Sequence, residues 1–170
     1  MEKYRERCAN HAMCADSAAK WAGCVSNREL FDLAGESQVA HFLLQSVSEG
    51  WGLPPAYIAE RFSHFINGRY VSSHACQNGT AYTTAIYCRH DGTVDAVETL
   101  YVLIDCNIRL VAPERSVIRV FADTGTRLAV DAGEDSLVTV TKWGADADNP
   151  VSSEGKGTVR VRYERIRDSF

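Results

Sequence analysis

The third and fifth residues of four successive tens repeat the same chemistry, and that repeat leaves the C-terminal half of the chain very few folds. The tens are CNIRLVAPER (Cys106 to Arg115), SVIRVFADTG (Ser116 to Gly125), TRLAVDAGED (Thr126 to Asp135) and SLVTVTKWGA (Ser136 to Ala145), with no insertion between them. Column three reads Ile108, Ile118, Leu128, Val138, and column five reads Leu110, Val120, Val130, Val140. Side chains two apart on a strand share a face, so each ten is one short strand with an apolar side. A corner of small and turn-forming residues follows, including Asp123, Gly125, Gly133 and Asp135.

Two structures satisfy this grammar. An antiparallel meander would lay consecutive strands side by side and needs strong two-residue turn chemistry at every corner. A β-solenoid would wind the chain about an axis and stack strands in parallel on the coil above. The corners vary, with Pro113 in one and Thr124-Gly125 in another, which favours the solenoid. Ten residues are few for a full coil. Two tens per coil are comfortable and would stack Val120 on Val140 and Leu110 on Val130. On the outside, Arg109, Arg119, Ala129 and Thr139 share one column of the repeat. A solenoid also ends in unpaired strand edges, which the helical half or a second copy would cover.

The first seventy residues follow a helical period instead. Tyr4, Cys8, His11, Ala15, Ala18 and Ala22 recur at three and four, placing a small packing stripe on a first helix. Ser26 and Glu29 have capping-box spacing at the start of a second helix, NRELFDLA. Ser37 caps a third, carrying Val39, Phe42, Leu43 and Val47 until Gly50. Pro54 and Pro55 open a fourth, with Ile58, Phe62, Phe65 and Ile66 on its buried side and Gly68 as its cap. The expected class is therefore α+β: a helical region over 1–70 with about four helices, then a repetitive β region over 71–170, packed as one unit. Between them, the Asn78-Gly79 pair reads as a hairpin turn, which would set Cys76 opposite Ala81. The closing run VRVRYERIR reads as an exposed strand, Arg160 and Arg162 alternating with Val159, Val161 and Tyr163.

Composition narrows the function classes. Apolar content of 45% with 24% charged residues is that of a folded globular chain. A net charge of −4 argues against a nucleic-acid-binding surface, which needs a basic face. No apolar run reaches bilayer length, and MEKYRER lacks the apolar core of a secretory signal. The expectation is a cytoplasmic protein or a part of a phage particle, with six cysteines held as thiols.

Two sets of residues could bind zinc. Cys8, His11, Cys14 and Cys24 offer four donors within seventeen residues. Residues three apart on a helix diverge by about 60°, however, so this trio would not converge on one ion without unwinding. His74, Cys76, Cys88 and His90 form H-x-C and C-x-H pairs, each able to point one way from a strand. The hairpin register separates the pairs. Core packing is the better reading of both sets, and neither a G-x-S-x-G elbow nor a phosphate-binding glycine loop is present. No catalytic residue, metal or cofactor is therefore expected.

With helices first, NRELFDLA at the second helix, FINGRYV at the helix-to-strand junction and short β repeats last, the chain resembles uncharacterised proteins of gut Bacteroidales and their phages or mobile elements. The resemblance implies a bacterial or phage setting and a small non-enzymatic part. The expected function is a structural or recognition module that binds itself or a protein partner. The alternatives are a small zinc- or thiol-dependent enzyme or sensor, and a carbohydrate-binding module using Tyr82, Tyr87 and Trp143.

Overall fold

In the computed structural model the tens wind two to a coil. The structure describes residues 15–34, 37–51, 54, 56–57, 60–62, 70–75, 81–88, 92–95, 98–143 and 149–164. Among the described residues three helices, α1 (Ala15–Gly23), α2 (Asn27–Ala34) and α3 (Ser37–Ser48), precede ten strands. These are β1 (Tyr70–Ala75), β2 (Ala81–Ile86), β3 (Gly92–Asp95), β4 (Thr99–Leu103) and β5 (Asn107–Ala112), then β6 (Val117–Ala122), β7 (Arg127–Ala132), β8 (Leu137–Trp143), β9 (Ser152–Gly155) and β10 (Thr158–Glu164). Short helical stretches at 56–57 and 60–62 lie between α3 and β1.

The strands alternate between two sheets. One has the order β1-β2-β4-β6-β8-β10 and the other β3-β5-β7-β9. Every pairing is parallel except the β1–β2 hairpin. This is a parallel β-solenoid of about four coils. Val120 sits on Val140 and Leu110 on Val130, as the column reading requires. Away from the centre the step departs from twenty: Thr83 pairs with Leu100 before the repeat and Val140 with Val161 after it.

The inward columns build the core. Leu100, Val120 and Val140 from the larger sheet face Leu110 and Val130 from the smaller, and all belong to one buried cluster. Fully burying such a side chain is worth about 1.5–3 kcal/mol. Near the corners the coil narrows and the seventh column holds Ala112, Ala122 and Ala132, all buried. The corners themselves close by one device. Ser116, Thr126 and Ser136 each donate a hydroxyl to the carbonyl three residues back, on Pro113, Asp123 and Gly133, at 2.7, 2.8 and 2.7 Å.

Helix α3 lies on the outer face of the larger sheet, with α2 packed on α3 and α1 on α2. Ala40 and Leu44 of α3 and Phe62 share a second buried cluster with Tyr82, Ile86, Tyr101 and Leu103. The Ser26–Glu29 capping box is reciprocal: Glu29 N–H donates to Ser26 Oγ at 3.2 Å, and Ser26 N–H to Glu29 Oε2 at 3.3 Å. Gly50 ends the α3 segment in the left-handed region, φ 73°.

Four local expectations are corrected. Ala15, Ala18 and Ala22 are exposed; on α1 it is the larger Trp21 that is half-buried. On α3, Leu43 and Val47 pack against the sheet as expected, but Ala40 and Leu44 form the buried centre of the seam and Phe42 meets Trp51 at 5.0 Å instead. In the hairpin, Ala75 rather than Cys76 faces Ala81, so the connection spans five residues, which lie outside the described ones. Finally, two tens per coil split the outer column: Arg109 pairs with Ala129 on one sheet and Arg119 with Thr139 on the other.

Close coil stacking leaves no room for a side chain at Gly133. A Cβ on Gly133 would stand 2.6 Å from Glu114 N and 2.8 Å from Ala112 O, backbone atoms of the coil below. Gly133→Ala should therefore cost about 1–3 kcal/mol in urea unfolding. Gly23→Ala, with nothing within 4 Å, is the control and should not destabilise. Equal stability of the two variants would contradict the stacking.

Candidate functional site

One corner of the solenoid concentrates buried charge. Asp123 follows β6 and is fully buried. Its Oδ1 accepts the Gly125 N–H at 3.0 Å within its own corner, and its Oδ2 accepts the Ile104 N–H of the corner one coil away. The carboxylate thus ties two coils together. Lys142 of β8 occupies the inward column that holds alanine in the three preceding tens, and it is 1% exposed. Its Nζ reaches out of that column to donate to Thr126 O at 2.7 Å and to Asn149 O.

Beside this pair lies a polar cleft of about 330 Å³ lined by Asp105, Cys106, Asn107, Gly125, Arg127 and Asn149. Asn149 is held at both ends of its amide, accepting from Arg127 Nε and donating to Thr124 O, each at 3.3 Å. The arrangement can anchor the β8–β9 connection and present polar groups to a small polar molecule.

Of the first candidate zinc set, Cys8, His11 and Cys14 lie outside the described residues. Cys24, half-buried just after α1, donates its thiol to Lys20 O at 3.4 Å. Of the second set, Cys76 and His90 lie outside them too. His74 stands on β1 opposite Tyr82, and Cys88 is buried in the solenoid core. Among the described residues no group of three or more His, Cys, Asp or Glu side chains could hold a metal ion.

The aromatics face a different duty from the one expected. Tyr82 and Tyr87 are buried in the cluster between sheet and helices, with Trp143 packed partly buried against it, so the trio makes no open sugar platform. Tyr101 and Phe121 stack at 5.4 Å on neighbouring coils. His41 of α3 meets Tyr101, Phe121 and Trp143 edge-on at 6.4, 6.0 and 6.4 Å. On the other sheet's outer face, Arg109 pairs with Asp131 at 2.9 Å and with Glu154, crossing three coils.

Sequence reading missed the Asp123–Lys142 corner, although its signal was there: the seventh column reads Ala112, Ala122, Ala132, Lys142. Among the described residues no helix is long and apolar enough to cross a membrane. No family model, curated protein or solved structure matches the chain.

The corner has a pH signature. Burial pushes the Asp123 carboxyl up from the usual 3.8 to about 6, against the N–H groups of Ile104 and Gly125 and the nearby Lys142 ammonium. Between those values the native protein holds a proton that the unfolded chain has released. The stabilisation from this group is complete below the unfolded value and is lost as pH rises through about 6. Asp123→Asn removes the titration. The stability of the parent relative to that variant should fall as pH is raised from 4 to 7 in urea unfolding, and a flat difference would contradict the assignment.

Proposed function

We propose that the chain is a non-enzymatic structural or recognition module that works by self-association through the C-terminal end of its solenoid, in the phage or mobile-element setting that the resemblance implies. The supporting observation is the last coil. Val140 is 1% exposed, whereas Val161, stacked directly on it, is 37% exposed. Val151 and Val159 are likewise only partly buried at the core's end. In the same plane β9 and β10 are the last strands of their sheets among the described residues.

The favoured mate is a second copy. Among the described residues the end offers two strand edges at once, set about 10 Å apart as facing sheets are. Another solenoid end has that same spacing. A two-fold axis across the strands would pair β10 antiparallel with β10, β9 with β9, and bury the valines from both sides. The charged residues Arg160, Arg162 and Glu164 lie along β10. Such charges discourage indiscriminate strand addition and so select an ordered mate.

Light scattering on a size-exclusion column, run over a concentration series, tests this. The parent should show a dimer that Val161→Asp converts to monomer while the circular dichroism spectrum is retained. A parent that stays monomeric throughout, or an oligomer unchanged by Val161→Asp, would overturn the proposal.

A further inference from the structure

We propose that Cys88 and Cys106 form a modification site, a cross-coil dithiol that a hydroperoxide converts to a disulfide joining two neighbouring coils. Both residues are buried in the solenoid core and stand as thiols. They occupy the same station on successive coils. Asn107 N–H donates to Cys88 O at 2.6 Å, and one coil on Arg127 N–H donates to Cys106 O at 2.7 Å. Both lie at corners, just beyond β2 and just before β5, and coils stacked at the strand spacing of about 4.8 Å bring such stations inside the Cα range of about 4.4–6.8 Å that a disulfide spans. The Cys106 sulfur already lies against the other cysteine: its Sγ accepts the Cys88 N–H at 3.2 Å, while the Cys88 thiol donates to Ile86 O at 3.7 Å.

The fold does not require sulfur here. Cys106 heads its ten, where the three following tens carry Ser116, Thr126 and Ser136. Each of those closes its corner with a hydroxyl. Cys106 does the same work, donating Sγ–H to Leu103 O, three residues back, at 3.1 Å. A serine would serve that corner, so the paired thiols add a chemistry that the architecture leaves optional. The route in is the polar cleft of about 330 Å³, of which Cys106 is a lining residue. It is roomy enough for hydrogen peroxide.

The step balances as two thiols and one peroxide giving one disulfide and two waters. Cys106 loses its proton and its sulfur attacks one peroxide oxygen. The O–O bond breaks, the leaving hydroxide takes the proton, and a sulfenic acid remains. The sulfur of Cys88 then attacks the Cys106 sulfur, the S–O bond breaks, and the departing hydroxyl leaves as water with the Cys88 proton. Burial, reinforced by Cys88, pushes the Cys106 thiol up, so the reaction is slower than at an exposed thiol.

The experiment uses the full chain carrying Cys76→Ser, so that the tryptic fragment bearing Cys88 holds a single cysteine. Reduced protein is freed of reductant, treated with hydrogen peroxide, alkylated in denaturant and digested without reductant. The expected products are the Cys88 fragment joined to the Cys106 fragment and a rise in Tm of roughly 5–10 °C that dithiothreitol reverses. Adding Cys106→Ser keeps the corner bond, so the untreated protein should stay folded but lose both the linked fragment and the rise. The linkage in the parent is read independently of that variant. Alkylation of both cysteines after peroxide treatment, linkage of either to another cysteine, or the same rise in the Cys106→Ser protein would overturn the proposal.

Discussion

Parallel stacking of one coil on the next is the constraint from which the rest of the structure follows. A backbone that must hydrogen-bond to the coil below has no freedom in register, because a slip of one residue would turn every inward valine or leucine outward. The inward columns, Leu100–Val120–Val140 and Leu110–Val130, therefore exist only if each pair of tens closes to the same length. Corner chemistry enforces that length. The hydroxyl of Ser116, Thr126 or Ser136 pinches its corner onto the carbonyl three residues back. Asp123 adds a bond between corners by accepting the Ile104 N–H.

That same constraint explains where the fold departs from its own repeat. Lys142 stands where alanine stood three times, and its charge is met by backbone carbonyls. The ammonium donates to Thr126 O and Asn149 O. At the other sheet boundary, the outer face of β2, β4 and β6 is covered by α3, so large residues such as Tyr101 and Phe121 are used there. The outer face of β5, β7 and β9 carries the ion pairs of Arg109 with Asp131 and Glu154 instead. Thus one sheet has two apolar faces and the other has one, which is why the repeat is strict in its inward columns and loose in its outward ones.

The inward columns were legible in the sequence because burial imposes a strict alternation that nothing else on a strand mimics. The capping box at Ser26 and Glu29 was legible for a similar reason: both partners are local. What escaped the sequence depends on distance. The hairpin register slipped by one, since Asn78-Gly79 suggests a two-residue turn while the pairing of Ala75 with Ala81 needs a longer connection. The exposed stripe of α1 misled because small side chains are compatible with packing without compelling it. The Asp123–Lys142 corner joins residues from different coils, and only the break in the alanine column hinted at it.

Through-space proton contacts measured by NMR in solution test the stacking most directly. The account predicts contacts between β6 and β8 that keep a constant offset, Ile118 with Val138 and Val120 with Val140, and between β5 and β7, Leu110 with Val130. Contacts instead between consecutive strands β6 and β7, running in opposite directions as a meander requires, would contradict it.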